Sequence, residues 1–268
     1  MASISEINAA GQRIWIDNLS RKMIEEGDLA RYIEAGVTGL TSNPSILLKG
    51  LKGSPYYRED LQKQTRLPPE KRLEAIVIRD IRDACDLFMP VFGKSSGDDG
   101  YVSMELSPRL AFDTDATVDA AISLAREVDR PNLMIKVPAT KEGIAAFERL
   151  ASLGININVT LIFSLHQVFH VFEAYARGLN RFAGSGGNVE RVRSVASLFL
   201  SRIDTLVDTL VEESLKGKTG ISLAKIAYQR WLDFFRGPHA RLEKGHALKL
   251  LWASTGTKNP AYSDLLYV

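Results

Sequence analysis

The stretch ININVTL, residues 155–161, decides the fold class of this protein. Its polar and apolar residues alternate with a period of two, which predicts a β-strand with one polar and one apolar face. A half-exposed antiparallel strand alternates in the same way, so the stretch alone leaves that alternative open. The neighbouring segments have helical periodicity, however, and helices cover the apolar face of the strands in a β/α protein. Asn156, Asn158 and Thr160 are then expected to point inward, and Leu161 to lie on the covered face.

The rest of the chain repeats this pattern, in which short apolar stretches alternate with longer segments of helical period. Such alternation predicts parallel strands with helices packed outside them, an α/β fold of the TIM (β/α)-barrel type. The predicted strands comprise residues 13–18, 36–41, 101–106, 132–137, 155–161, 192–199 and 247–254. The predicted helices include residues 56–64, 69–88, 164–182 and 221–235. Only short Gly- and Ser-rich loops interrupt the chain, so we expect one (β/α)-barrel domain over residues 1–268.

A closed TIM barrel has eight strands, but only residues 255–268 follow the seventh predicted strand. We therefore expect the eighth strand and its helix to be missing from this stretch, and the domain to be incomplete at its C-terminal end. On this view the native polypeptide continues past Val268, or a partner segment fills the gap. The alternative is an eighth strand inside one of the long intervals assigned to helices.

Composition and charge narrow the class of partner. The chain has 268 residues, of which 45% are hydrophobic and 25% charged, with a net charge of +2. Basic residues are scattered among acidic ones, so we expect a small-molecule partner and neither nucleic acid nor a membrane. The sequence predicts neither a secretory signal nor a membrane-spanning run, and the single cysteine, Cys85, excludes an internal disulfide. These features predict a cytoplasmic protein with a buried structural thiol, and they leave a homo-oligomer open.

Ionisable or amide side chains interrupt or close four other apolar strands: Asp17, Asn43, Glu105 and Lys136. Taken singly, each can be a strand-end residue that faces solvent, but four such strands favour a site at their carboxyl ends. Lys136 lies within the apolar run MIKVP, where burial would disfavour the ammonium form and leave a fraction as free amine, although nearby carboxylates would oppose this. An amine with two carboxylates and several amides suits covalent aldol chemistry, in which the amine attacks a ketone.

Two motifs carry a resemblance to a known family. The segment TGLTSNPS at residues 38–45 resembles one element of the transaldolases, and LMIKVPAT at residues 133–140 resembles their Schiff-base lysine motif. The remaining blocks resemble family blocks in the same order and are WID at 15–17, VSME at 102–105, NVTLIFS at 158–164, SLFLSRID at 197–204 and AST at 253–255. The resemblance covers nearly the whole chain and is nearest to the longer bacterial subfamily. It implies a TIM barrel of the class I aldolase type.

The resemblance implies a pentose phosphate pathway enzyme that needs no metal or organic cofactor. Such an enzyme moves a dihydroxyacetone unit from fructose 6-phosphate to erythrose 4-phosphate, and gives sedoheptulose 7-phosphate and glyceraldehyde 3-phosphate. By position, Lys136 would be the nucleophile, Asp17 the base for carbon–carbon cleavage, and Glu105 an acid/base acting through a water. Thr160 would hold that water, and the hydroxyls of the three-carbon fragment would be bound by Asn43, Asn158 and Ser197.

The resemblance also implies a phosphate site at the mouth of the barrel. Arg202 would supply a planar fork for the dianion and Ser254 a hydroxyl. The family usually has a second arginine shortly after this serine, whereas this chain has TGTK at residues 255–258. Lys258 is therefore expected to replace that arginine as a point charge.

Two other functions stay open. A fructose 6-phosphate aldolase-like lyase would use the same lysine and release free dihydroxyacetone. Glu105 favours transfer, since the resembling lyases usually have glutamine at that position. A non-catalytic fragment that binds sugar phosphates is the alternative of a different class. His166 and His170 are spaced to clamp a metal, but no carboxylate or cysteine completes such a site nearby, so no metal is expected.

Overall fold

The computed structural model describes residues 3–63, 65–237, 240, 242 and 244–267, apart from the side chain of residue 70. Within this part of the chain seven parallel strands form one sheet in the order β1-β2-β3-β4-β5-β6-β7. The strands are β1 Trp15–Asp17, β2 Gly39–Thr41, β3 Tyr101–Glu105, β4 Leu133–Pro138, β5 Ile157–Ile162, β6 Ser194–Phe199 and β7 Lys249–Ala253. Parallel strands in chain order give the topology of a (β/α) barrel. All seven predicted strands are confirmed, with bounds that differ by at most three residues.

Helices separate the strands. The α-helices are α1 Ile4–Ala9, α2 Arg21–Glu25, α3 Asp28–Glu34, α4 Pro44–Leu51, α5 Arg58–Lys63, α6 Pro69–Lys94, α7 Thr114–Val128, α8 Lys141–Ala151, α9 Leu165–Gly184, α10 Ser201–Val207 and α11 Thr219–Phe235. Short 3-10 helices comprise Pro55–Tyr57, Pro108–Leu110, Val189–Arg191 and Glu213–Leu215. No helix in the described part of the chain is long and apolar enough to cross a bilayer.

The chain divides into two compact units. Unit 1 comprises Met1–Glu105 and Ile122–Ile135, and it contains β1, β2, β3 and the first half of β4. Unit 2 comprises Leu106–Ala121 and Lys136–Val268, and it contains the second half of β4 together with β5, β6 and β7. The assignment of residues 1–268 to a single domain stays a prediction.

The strand β5 follows the predicted alternation only in part. Ile157 and Val159 are fully buried, and so are Asn158 and Thr160 on the other face. Leu161, which was expected on the covered face, is 37% exposed, and Ile162 is buried in its place. The register of β5 against β6 shifts between Val159 and Ile162, and Leu161 has a φ of 59°. This β-bulge turns Leu161 out of the alternation, so the prediction for that residue was wrong.

The helix predicted at 69–88 extends further than its apolar pattern indicated. It continues to Lys94 through Pro90, although an interior proline removes a backbone N–H donor and disfavours the helix. Cys85 lies in this helix and is fully buried, as predicted. Burial raises the pKa of its thiol to about 12. The thiol is therefore a packing group. The backbone oxygen of Cys85 accepts a hydrogen bond from Asn132 Nδ2 at 2.9 Å.

A buried charge network joins α2 to α6 in unit 1. The Arg21 guanidinium and the Asp80 carboxylate form an ion pair with side chains only 2% and 1% exposed. The Tyr57 hydroxyl donates to Asp80 Oδ2 at 2.8 Å and accepts from the Arg21 backbone N–H at 2.7 Å. A second carboxylate, Asp60, accepts from Arg21 at 2.7 Å. These bonds tie the long β2–β3 connection to the helix that follows β1.

Removing one partner of this network is expected to be strongly destabilising. The Asp80→Ala variant leaves the Arg21 charge buried with one carboxylate fewer, so we expect the free energy of unfolding to fall by about 3–5 kcal/mol. The matched control is Asp83→Ala, since Asp83 lies on the same helix, is 41% exposed and is 3.9 Å from Arg79. That surface pair should contribute less than about 1 kcal/mol. Urea unfolding measures both, and equal losses would contradict a special role for the buried pair.

Candidate active site

Three neighbouring strands of unit 1 align polar side chains at their carboxyl ends. In the parallel register Asp17 pairs with Thr41, and Thr41 pairs with Ser103. Glu105 lies two residues beyond Ser103 and therefore on the same face of β3. Asp17 is exposed, Glu105 is half-buried and Ser103 is fully buried. Unit 1 thus carries both predicted catalytic carboxylates at the carboxyl ends of its strands.

Asn43 follows β2 directly and begins the next helix. Its Oδ1 accepts a hydrogen bond from the Ile46 backbone N–H at 3.0 Å, so it is the N-cap of α4. This bond occupies the amide oxygen and fixes the direction of the side chain. Asn43 was predicted only as a substrate ligand, and its capping role, which the following Pro44 signals, was not predicted.

Thr41 is a candidate that sequence reasoning missed. Its hydroxyl is buried and makes no hydrogen bond within the described part of the chain. A buried hydroxyl without a partner is uncommon, and it is satisfied when a ligand or water reaches it. Its position two residues before Asn43, on the same face as Asp17, was the signal that could have identified it.

Lys136 lies on β4 and is buried. Its exposure is 6%, and its sequence neighbours Ile135 and Val137 are fully buried. The Leu106 backbone N–H donates to the Lys136 carbonyl oxygen at 3.4 Å, which fixes the strand at this residue. The burial expected from the apolar run is therefore confirmed.

The next two strands of unit 2 supply a bonded pair of polar side chains. Asn158 and Thr160 lie on one face of β5, with exposures of 0% and 2%. The Ser197 hydroxyl of β6 donates to Asn158 Oδ1 at 2.7 Å, so these two predicted ligands are brought together. Asn156 lies just before β5, and its Oδ1 accepts a hydrogen bond from the Arg193 backbone N–H at 2.9 Å. This bond links the residues that precede β5 and β6.

Arg202, Ser254 and Lys258 lie near the carboxyl ends of β6 and β7. Arg202 is exposed in α10, and its guanidinium carbon lies 5.2 Å from the centroid of the Phe199 ring. Ser254 follows β7, and its Oγ lies 2.9 Å from Ser201 Oγ. Lys258 is exposed, and its side chain folds back beside Gly256. Its Nζ would lie 3.7 Å from a Cβ atom added to that glycine.

The histidine pair forms a ring contact. His166 and His170 on α9 lie edge to face with their ring centroids 4.1 Å apart. Within the described ranges no group of three or more histidine, cysteine, aspartate or glutamate side chains could hold a metal ion.

These features define an α/β-barrel protein with a buried lysine on its fourth strand and polar side chains at the strand ends. The chain belongs to the transaldolase/fructose-6-phosphate aldolase family, whose sequence profile matches residues 14–268.

Curated relatives agree with this assignment. The chain is 52% identical to a transaldolase of Thiobacillus denitrificans, over 98% of this chain and 77% of the relative. It is 45% identical to a transaldolase of Neisseria gonorrhoeae, over 100% of this chain and 78% of the relative. A transaldolase of Trichodesmium erythraeum is 43% identical over 98% of this chain and 75% of the relative. The similarity therefore extends along nearly all of the chain.

Proposed function

We propose that this protein is a transaldolase that forms a Schiff base through Lys136 and moves a dihydroxyacetone unit between sugar phosphates. The donor is fructose 6-phosphate and the acceptor erythrose 4-phosphate, with sedoheptulose 7-phosphate and glyceraldehyde 3-phosphate as products. The observation that carries the proposal is the 6% exposure of a lysine on a strand of apolar residues. Family membership and the transaldolase names of its relatives support the reaction class. We place the reaction in the pentose phosphate pathway and in the cytoplasm.

In the proposed mechanism the Lys136 amine attacks the C2 carbonyl of the ketose. Loss of water then gives a protonated imine, which is an electron sink. The Asp17 carboxylate takes the C4 hydroxyl proton, and the C3–C4 bond breaks to release the aldose. The electron pair of that bond remains on the three-carbon fragment as an enamine. Attack of the enamine on the acceptor aldehyde forms the new bond, and hydrolysis of the imine releases the product and restores Lys136.

The remaining polar residues hold the fragment and move protons. Glu105 acts as the acid/base for carbinolamine formation and imine hydrolysis, through a water that Thr160 holds. Asn43, Asn158 and Ser197 bind hydroxyls of the fragment. The Ser197–Asn158 bond supports this role because it fixes both side chains before substrate arrives. We add Thr41 as a further hydroxyl ligand, because its own hydroxyl is buried without a partner in the described structure.

Arg202 is the proposed phosphate ligand, with Ser254 as a hydroxyl donor. Guanidinium groups bind phosphate through two parallel N–H bonds. The exposed guanidinium over the Phe199 ring, near the carboxyl end of β6, supports this assignment. Lys258 is proposed as the second cation, in place of the arginine of other family members.

A lyase that releases free dihydroxyacetone is the competing function, because the family name itself covers fructose 6-phosphate aldolases. Both reactions pass through the same enamine, which is either transferred to an aldose or protonated. Glu105 favours transfer over release, by resemblance to the transferring members of the family. A non-catalytic barrel that binds sugar phosphates would keep the phosphate ligands and would not need a buried amine.

Product analysis with and without acceptor tests the proposed function. With fructose 6-phosphate and erythrose 4-phosphate we expect sedoheptulose 7-phosphate and glyceraldehyde 3-phosphate in equal amounts. Without acceptor we expect at most about one equivalent of glyceraldehyde 3-phosphate per enzyme, because the enamine stays bound. Continuous release of dihydroxyacetone without acceptor would instead show a lyase. Saturable sugar-phosphate binding with no turnover in either assay would show a binding protein, and the Lys136→Met variant gives the background rate.

A further inference from the structure

We propose that the segment after β7 positions the phosphate-binding Arg202, through hydrogen bonds from Tyr262 and Tyr267 to the helix α10. These two residues are called the tyrosine pair. The inference rests on the proposed function, in which Arg202 binds the substrate phosphate. All the groups involved belong to unit 2.

The tyrosine pair bonds to two carboxylates, Asp204 in the middle of α10 and Asp208 just beyond its last residue. Tyr267 donates its hydroxyl to Asp204 Oδ2 at 2.6 Å, and Tyr262 donates to Asp208 Oδ2 at 2.7 Å. Asp204 is 1% exposed and Tyr267 is 8% exposed. Burial and then the bond to Asp204 raise the pKa of Tyr267 above its ordinary value, so the hydroxyl stays a donor. Hydrogen bonds from a hydroxyl to a buried carboxylate are among the stronger ones in proteins.

The other oxygen of each carboxylate accepts a backbone N–H from the region before and at the start of α11. Gly220 N–H donates to Asp204 Oδ1 at 2.8 Å, and Gly217 N–H donates to Asp208 Oδ1 at 2.9 Å. Gly217 has a φ of 70°, and a Cβ there would lie 3.0 Å from Cζ of the Tyr262 ring. Glycine at this position therefore permits the close approach of the ring. Each carboxylate thus links α10 both to the tyrosine pair and to the residues that lead into α11.

The beginning of α10 is held separately. Ser201 N–H donates to the Ser254 carbonyl oxygen at 3.0 Å, and the hydroxyls of these two residues lie 2.9 Å apart. A helix of only seven residues is not stable by itself, so its position depends on such bonds. Arg202 lies between the two sets of contacts, one residue after Ser201 and two before Asp204. Releasing either set is expected to change the direction of its guanidinium.

The test removes the hydroxyls of the tyrosine pair, first one at a time and then together. In Tyr267→Phe, Tyr262→Phe and the double variant, we expect the KM for fructose 6-phosphate to rise about five- to twentyfold, since a misplaced ligand loses binding geometry. The rate with unphosphorylated dihydroxyacetone or fructose as donor should change by less than about twofold, because no phosphate contact is involved. The matched control is Tyr228→Phe. Tyr228 is an exposed residue of α11, and its ring stacks on Trp231 with centroids 5.8 Å apart. This control should leave both donors unchanged.

Hydrogen–deuterium exchange of the peptide covering residues 201–208 gives a readout that does not need activity. Exchange should be faster in Tyr267→Phe than in Tyr228→Phe. Unchanged exchange would overturn the positioning role. Faster exchange with an unchanged KM for fructose 6-phosphate would also overturn it, and so would equal losses of activity with the phosphorylated and the unphosphorylated donors. Arg202→Ala is measured alongside. If it loses the phosphorylated donor selectively and the tyrosine variants do not, the tyrosine inference fails alone. If Arg202→Ala shows no such selectivity, the phosphate assignment itself fails.

Discussion

Replacing Lys136 is expected to abolish transaldolase activity, with kcat lower by at least about 10³-fold, because the proposed imine forms on its amine. Incubation of the unaltered protein with fructose 6-phosphate and borohydride should reduce that imine to a stable secondary amine. Mass spectrometry should then find one dihydroxyacetone-derived adduct per chain, on the peptide that contains Lys136. This prediction has the largest expected effect, since the lysine supplies the covalent bond on which every later step depends.

Two variants separate chemistry from folding. Lys136→Met keeps the length of the side chain and suits a position that is 6% exposed among apolar neighbours, so it should fold and yet form no adduct. Lys141→Ala removes an exposed lysine at the first position of α8, five residues further on, and should keep the adduct and the rate. An adduct that persists in folded Lys136→Met, or that maps to another lysine, would contradict the assignment.

Truncating Arg202 is expected to cost about 2–4 kcal/mol of phosphate binding, which corresponds to a KM for fructose 6-phosphate about 30- to 700-fold higher. The rate with unphosphorylated donors should be nearly unchanged, because the lost contacts are to the phosphate alone. The KM for each donor and the inhibition constant of inorganic phosphate are the quantities to measure. A higher inhibition constant for phosphate in Arg202→Ala would locate the anion independently of turnover.

The matched control is Arg191→Ala. Arg191 is also an exposed arginine near β6, but it precedes that strand and lies at its amino end, whereas Arg202 follows its carboxyl end. Barrel sites are built at the carboxyl ends of strands, so the control should leave the KM for both donors unaltered. Equal losses for phosphorylated and unphosphorylated donors in Arg202→Ala would assign Arg202 a structural role.

Much of the fold could be predicted from the sequence, because the signals are local. The period-two pattern of residues 155–161 and the helical segments around it predicted parallel strands, and all seven are present within three residues of their expected bounds. The apolar run around Lys136 predicted its burial correctly. The exposure of Leu161 escaped prediction, because a bulge depends on the register between β5 and β6, which no local pattern shows.

In the candidate site, too, local sequence patterns predicted some features and only the tertiary structure decided the others. The sequence by itself determined which residue types interrupt or close the strands, since Asp17, Glu105 and Lys136 each follow an apolar run that can be recognised without any knowledge of contacts. Only the tertiary structure decided the bond between Ser197 and Asn158, which are 39 positions apart. It also decided the bond between Tyr267 and Asp204, 63 positions apart, and with it the support of the helix that carries Arg202. Such pairs depend on how distant elements pack, whereas periodicity reports only on the face of one element at a time.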